Sequence, residues 1–564
     1  MKYLLILFLS ITTLFSQTKT QKFDEVLQQS YENYEFNGNV LVAHNGKVIY
    51  RKALGMANFK EKKSLDLNSQ FRLASVSKQF TAMAIMILKQ QKKLEYDNYV
   101  VKYLPNIPYK KITIRHLLNH TSGLPDYMDL FRIHWDQSKI ATNDDIISLL
   151  STYKPSVKFT PNERWEYSNT GYALLASIVT KASKMPFHEF MQKHIFKPLK
   201  MQNSLVYSPI RKDMMPNRVY GFTWHIDGSY SENDFNFLNG IAGDGGIYST
   251  LDNLYKWDQA LYTEKLVSKE ILEEAFTKTT LQNGSTKNYG FGWSIDDSPT
   301  GKKRVSHNGG WVGFSTRISR DIEDKTTIII LTNANQNFRS IRRAFEDILY
   351  NKKYNNPRLS IARTLLKQFL EKKLDITKQY SELKVKAPKI YRWGERELET
   401  LGEYLLKNKY FLQAVQTFQL MVQENPDSST AYYLLGKAYD ELATKNYVKS
   451  LQAHPGNEDA RRALKDRKND FVAQKIDISL NTLNKYVGEY QIVPGFTLTV
   501  RLKDKQITVQ ATDQPEFKIF AMSQSKFYLK AVNAQVSFHT DKDGIVTHLV
   551  LHQNKRDIPG KKIK

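Results

Sequence analysis

The sequence predicts a multidomain chain. An α/β catalytic domain comes first, an antiparallel sheet flanked by helices plus a helical lobe. A short α-helical repeat module and a small all-β barrel or sandwich follow. Three observations carry this. Strand patterns stand near 38–54 and again at 303–333, with helical and loop-rich sequence between them. A weak repeat with a period of 34 residues comes next. From about residue 478, apolar residues alternate singly, as in half-buried strands. A length of 564 residues is itself too great for one domain.

In chain order, Lys2, the apolar run Tyr3 to Phe15 and Ser16-Gln17 read as a secretory signal over 1–16. The run is too short to span a bilayer, and no later segment approaches 18 uninterrupted apolar residues, so no transmembrane segment is expected in the mature chain. The chain is therefore expected to be periplasmic or secreted. Residues 20–350 read as the catalytic domain. Asn39 to Leu54 form two strands around Asn45-Gly46, a favoured two-residue hairpin turn. Phe80, Ala84, Ile87 and Leu88 recur at helical spacing and mark a helix over 75–90. The strongest late strand is Thr326 to Leu331, and a helix at 336–350 closes the unit.

Residues 351–392, rich in lysine and arginine with Pro357 and Pro388, read as a helical or extended connector. Over 393–470, Leu401-Gly402 recurs as Leu435-Gly436, and Ala414, Phe418 and Pro426 stand where a tetratricopeptide repeat expects them. Only about two repeats are present, and a chance helical hairpin is an equal reading. If it is a repeat, a protein partner is its natural ligand. The final domain, 478–564, shows strict alternation at Phe496, Leu498, Val500 and Leu502. A turn at Asp504-Lys505 and a last strand at Val546 to Leu551 complete it.

The chain has no cysteine, which excludes disulfides, thiol chemistry and zinc–thiolate sites. The formal charge of +25 reads as lysine-rich solvated faces, or as attraction to an anionic envelope surface. Nucleic acid is not an expected partner: an export signal removes it, and no nucleic-acid motif is visible.

Chemistry is concentrated in Phe71-Arg72-Leu73-Ala74-Ser75-Val76-Ser77-Lys78. Residues at i and i+3 share a helix face, so the Lys78 amine can reach the Ser75 hydroxyl and take its proton. Ser-x-x-Lys occurs five times here, so the pattern alone is weak. Context selects Ser75, because only there does the pattern open an apolar helix preceded by a hairpin. Two further segments add to it, Tyr167-Ser168-Asn169 and His307-Asn308-Gly309-Gly310-Trp311.

These three motifs, in this order, resemble the serine β-lactamase and penicillin-binding-protein family. The match looks closest to its class C β-lactamase-like branch of D-Ala-D-Ala carboxypeptidases, D-aminopeptidases and esterases. Ile114 to Gly123, Gly243 to Thr250 and Tyr289 to Trp293 are supporting phrases, and the resemblance covers roughly 25–350. It implies Ser75 as acylated nucleophile and Lys78 with Tyr167 as its proton shuttle. It implies Asn169 as a hydrogen-bonding partner of substrate or lysine, and the N–H groups of Ser75 and Gly310 as the oxyanion hole. His307 and Gly309 would stand with Gly310 on the substrate-binding strand. No cofactor or metal is implied.

His307 occupies a place that many β-lactamases give to lysine. A neutral imidazole attracts a substrate carboxylate less than an ammonium does. The expected reaction is therefore hydrolysis of an ester, D-amino-acid-type peptide or related amide, with a nearby arginine such as Arg317 as a possible substitute cation. A β-lactamase or penicillin-binding protein with a β-lactam as true ligand is the first alternative. A non-catalytic envelope binding or sensing protein is the second. His116 and His120 have metal-ligand spacing but no third ligand, and they read as structural. Asp244 is given no role.

Overall fold

In the computed structural model of this chain, residues 17–211, 215–334, 338–467, 476–530, 532, 534–553 and 556–564 are described. The proposed signal segment lies outside them. The chain divides into two compact units, 1–360 with 389–392, and 361–388 with 393–564.

The first unit is built on six antiparallel strands. These are β1 (Gly38–His44), β2 (Lys47–Leu54), β3 (Ser294–Asp297), β4 (Lys303–Trp311), β5 (Phe314–Asp321) and β6 (Thr326–Thr332). Their order across the sheet is β3-β4-β5-β6-β1-β2, so strands from both ends of the unit meet at β6 and β1. The hairpin between β1 and β2 turns at Asn45 (φ 52°) and Gly46 (φ 70°), the left-handed pair a tight two-residue turn needs.

Both faces of the sheet are covered, which explains the unbroken apolar run at 328–331. Val40, Val42, Ile328 and Ile330 pack under α1 (Lys19–Glu32) and against Phe345 and Ile348 of a helix at Arg339–Leu349. Leu41, Ala43, Ile329 and Leu331 face the larger core, which holds α2 (Lys78–Gln90) and α3 (Asn169–Ser183). Every residue of α2 from Lys78 to Leu88 is buried, so this helix has no solvent face. A helix buried all round can hold a lysine only if that lysine is hydrogen-bonded.

In the second unit, six helices span Ile361–Lys372, Ile376–Lys386, Glu395–Lys407, Phe411–Glu424, Ser429–Ala453 and Glu458–Asp466. The two glycines of the sequence repeat differ. A methyl at Gly402 would strike the Phe418 ring at 2.4 Å, whereas one at Gly436 would meet nothing within 4 Å. Gly436 lies inside an unbroken 25-residue helix, where a second helical hairpin would need a turn. Close packing against a neighbouring helix thus distinguishes Gly402 from Gly436.

The C-terminal part is a closed eight-stranded barrel. Closure is made by Tyr490 pairing with Lys562. Leu498, Val500, Ile507, Val509, Val536 and Leu549 fill it, and Tyr486 from a helix at Leu480–Tyr486 stacks on Phe538 at 4.3 Å. The expected final strand at Val546 is in fact the seventh. The closing strand, Arg556–Lys562, contains Pro559 and Gly560 and lacks apolar alternation, so its sequence does not announce it.

Candidate active site

Ser75 stands in a 3-10 turn, Ala74–Ser77, directly before α2. Ala74 has φ +49°, a left-handed conformation unusual for a residue with a side chain. That bend turns the chain sharply out of the short strand Phe71–Arg72 and into the helix. Lys78 is fully buried one turn on. Its Nζ donates to Ser75 Oγ at 3.1 Å, to Asn169 Oδ1 at 2.9 Å and to the Asp244 carbonyl at 2.8 Å. Three N–H groups thus meet three oxygens, and the buried nitrogen is satisfied.

Asn169 begins α3, and Ser168 caps it by accepting from the Gly171 N–H at 3.1 Å. The segment before it is held by His120. The Ser168 N–H donates to His120 Nδ1 at 3.0 Å, and the Glu166 N–H to the His120 carbonyl at 3.0 Å. His120 is completely buried, and its ring lies 4.3 Å from that of Tyr167. Burial, then the Lys78 charge, holds its pKa well below the usual histidine range, so it is neutral. Tyr167 is partly exposed and presents its ring to Lys78 Nζ at 4.8 Å. Among the described residues its hydroxyl makes no hydrogen bond to Ser75 or Lys78.

Strand β4 forms the opposite wall. β3 pairs with it only from Lys303 to Ser306, so from His307 onward that edge is open toward the Ser75 turn. Gly309 points at the turn: a methyl there would lie 2.2 Å from the Leu73 carbonyl and 2.3 Å from Thr316 Oγ1. Gly310 points the other way into open space and lines the cleft. The two glycines therefore differ in kind. Gly309 permits close packing, and Gly310 leaves room at the site.

His307 is 5% exposed and does not line the cleft beside Ser75. Its Nδ1 lies 2.6 Å from the Asn308 carbonyl, which can only accept, so Nδ1 carries the proton. Nε2 then accepts from the Tyr289 hydroxyl at 2.9 Å. Burial first, and Lys78 second, bring its pKa down to about 3, so the ring is neutral. Arg317 is no substitute cation at the cleft. It donates to Asn308 Oδ1 at 2.5 Å and Ser306 Oγ at 3.1 Å, and burial brings its pKa down to about 10.

The cleft has a volume of about 260 Å³, enough for a small acyl group, and Ser75, Asn169 and Gly310 all line it. So do Arg72, Tyr127, Asp244 and Trp311, which have no role assigned from sequence. The Tyr127 hydroxyl donates to Asp244 Oδ2 at 2.8 Å, which ties the loop at 243–246 to the lobe while the Asp244 carbonyl anchors Lys78. The Gly243 to Thr250 phrase was the only sequence signal for this. Trp311 Nε1 donates to Asn239 Oδ1 at 2.7 Å. Among the described residues, no three His, Asp or Glu side chains converge as a metal site.

A family model described as Beta-lactamase matches residues 23–351, more than half of the chain. A second, described as a domain of unknown function (DUF3471), matches 473–562. The chain is 41% identical over 356 residues to penicillin-binding protein 4* of Bacillus subtilis (strain 168), covering 60% of this chain and 78% of that protein. It is 25% identical over 300 residues to a D-aminopeptidase of Brucella anthropi, covering 52% of this chain and 55% of that one. A solved penicillin-binding protein homologue from Pyrococcus abyssi superposes with a TM-score of 0.52 at 19% identity, over 96% of this chain and 99% of that chain.

Proposed function

The chain belongs to the beta-lactamase family, and from that premise we propose a serine hydrolase that works through an acyl-enzyme on Ser75. The bonds proposed are an ester, a D-amino-acid-type peptide or a related amide. The observation that carries this reading is the threefold bonding of Lys78 Nζ to Ser75, Asn169 and Asp244. Two of these partners are carbonyl oxygens, which only accept. As a neutral amine, Lys78 would spend both N–H groups on them and turn its lone pair to the Ser75 hydroxyl.

Ser75 Oγ would attack the substrate carbonyl carbon while its proton passes to Lys78. The developing oxyanion would sit between the N–H groups of Ser75 and Gly310, where the open edge of β4 faces the turn. Tyr167, packed between the His120 ring and the Lys78 amine, would relay the proton to the leaving group. Attack by water on the ester would then release the acid and restore Ser75. We also read the chain as exported, on the charge and apolar run at its start.

The test is intact-protein mass spectrometry after exposure to a phosphonate ester, an activated carboxylic ester, a D-Ala-D-Ala peptide and a penicillin. One adduct on Ser75 is expected, and none in Ser75→Ala. Labelling of that variant at the wild-type rate would overturn the assignment. The acyl adduct that turns over fastest identifies the substrate class, and rapid repeated penicillin hydrolysis would favour the β-lactam alternative.

A further inference from the structure

Arg72 is a charge for which the chemistry above has no use. It stands three residues before Ser75, lines the same cleft, and is only 3% exposed. Its Nε and Nη1 are enclosed with no hydrogen-bond acceptor. Its guanidinium forms no ion pair or hydrogen bond among the described residues. Its ring contact is the face of Trp311, 5.8 Å from the guanidinium carbon. Asp244, the carboxylate lining this cleft, receives the Tyr127 hydroxyl and not the guanidinium. An arginine stays protonated in proteins, and a buried cation without a counter-ion is costly. Other buried arginines in this unit are paired: Arg304 with Asp321 and Glu346, and Arg320 with Asp258.

The position of Arg72 tells which part of a substrate it meets. Along β4 the order is His307, Gly310, Trp311, and the Tyr167 ring lies 6.1 Å from that of His307. If Tyr167 protonates the leaving group, the leaving group lies on the His307 side of Gly310. Trp311 and Arg72 then lie on the acyl side.

We propose that Arg72 is a subsite for a carboxylate carried by the acyl portion of the substrate, the part that remains on Ser75 after the leaving group departs. This deepens the acyl-enzyme reading and rests on it. A guanidinium recognises a carboxylate through charge-assisted N–H donors; with Nε and Nη1 enclosed, Nη2 is the nitrogen left to meet a carboxylate in the cleft. It also changes the expectation drawn from His307: the cation absent from the leaving-group side is present on the other.

The experiment compares two 4-nitrophenyl phosphonates, one with a terminal carboxylate on its alkyl arm and one with the isosteric carboxamide. Ser75 labelling rates are followed by mass spectrometry on the full chain. The charged probe is expected to label about tenfold to a hundredfold faster, the range of a charge-assisted hydrogen bond, with a ratio that falls as salt is added. Arg72→Gln should bring the ratio toward one, and Arg72→Lys should keep part of it. Equal wild-type rates with both probes on Ser75 would overturn the subsite and leave the acyl-enzyme reading standing. A high ratio that survives in Arg72→Gln would assign the preference to another cation. Failure of both probes to label Ser75 would overturn the acyl-enzyme reading itself. Should Arg72→Gln fail to fold, Arg72→Lys carries the test: a ratio reduced but above one supports the subsite, and a ratio unchanged from wild type overturns it.

Discussion

Gly309 and Leu73 touch backbone to backbone: a methyl on Gly309 would stand 2.2 Å from the Leu73 carbonyl oxygen. The same carbonyl accepts from Thr316 Oγ1 at 2.7 Å, so β4 and β5 both grip the turn that precedes Ser75. The nucleophile is placed by the sheet edge as much as by its own helix. Ala74, next in the chain, holds its left-handed φ against this support.

From this contact follows a contrast between neighbouring glycines. Gly309→Ala should lower the thermal midpoint and slow Ser75 labelling, because backbone must move to admit the methyl. Gly310→Ala should leave the midpoint close to wild type, since its methyl meets nothing within 4 Å, while slowing acylation by crowding the cleft. Equal losses of stability in the two variants would contradict the geometry.

Lys78 joins three elements through one nitrogen, so its removal should be felt in chemistry and in fold. Lys78→Ala and Tyr167→Phe are each expected to lower kcat by roughly 10²–10⁴-fold, the usual range for a positioned acid or base. The double variant should lose little more than the worse single one, because groups that move one proton act as a unit. Multiplicative losses in steady-state kinetics would show independent roles.

The site was legible where its residues lie close in sequence. Ser75 and Lys78 are one helical turn apart, and Tyr167 and Asn169 sit at one helix start, so short motifs disclose them. The groups that escaped are set by contacts between distant segments. Asp244 acts through its backbone carbonyl, which no residue type announces. His120 works from 48 residues before Ser168. Arg72 gains meaning only from the absence of a partner. The fold shows the same division: β1, β2 and β6 declare themselves by apolar runs. The barrel's closing strand, which pairs with Val546–Gln553 on one side and Gly488–Val493 on the other, carries no apolar pattern of its own. The two Leu-Gly pairs look alike in sequence for a related reason: only contacts show that a methyl at Gly402 would meet a neighbouring helix and one at Gly436 would not.

That difference gives opposite signs for one substitution. Gly402→Ala should destabilise, since the methyl would overlap the Phe418 ring at 2.4 Å, within a close helix pair. Gly436→Ala should stabilise by about 0.5–1 kcal/mol, the gain of alanine over glycine in an exposed helix interior. Urea unfolding of the two variants measures both. Equal destabilisation would mean that the two glycines are equivalent repeat positions after all.

His307 offers a test by pH. Burial lowers its folded pKa to about 3, while an unfolded histidine titrates near ~6.5. Between these values the unfolded chain binds a proton that the native chain refuses. The stabilising contribution is therefore whole above pH ~6.5 and is lost as pH falls toward 3, with a slope of at most about 1.4 kcal/mol per pH unit. His120, also lowered by burial, acts in the same direction, so total acid sensitivity does not isolate His307. The comparison with His307→Gln does. The variant cannot take that proton, so its stability deficit relative to wild type should be largest near pH 8 and shrink by pH 5. The shape of the activity profile from pH 5 to 8 should be the same in both proteins, because the native imidazole stays neutral throughout. A limb near pH 6 present in wild type and missing in His307→Gln would show instead that the ring titrates at the site, against the fixed bonds to Tyr289 and the Asn308 carbonyl.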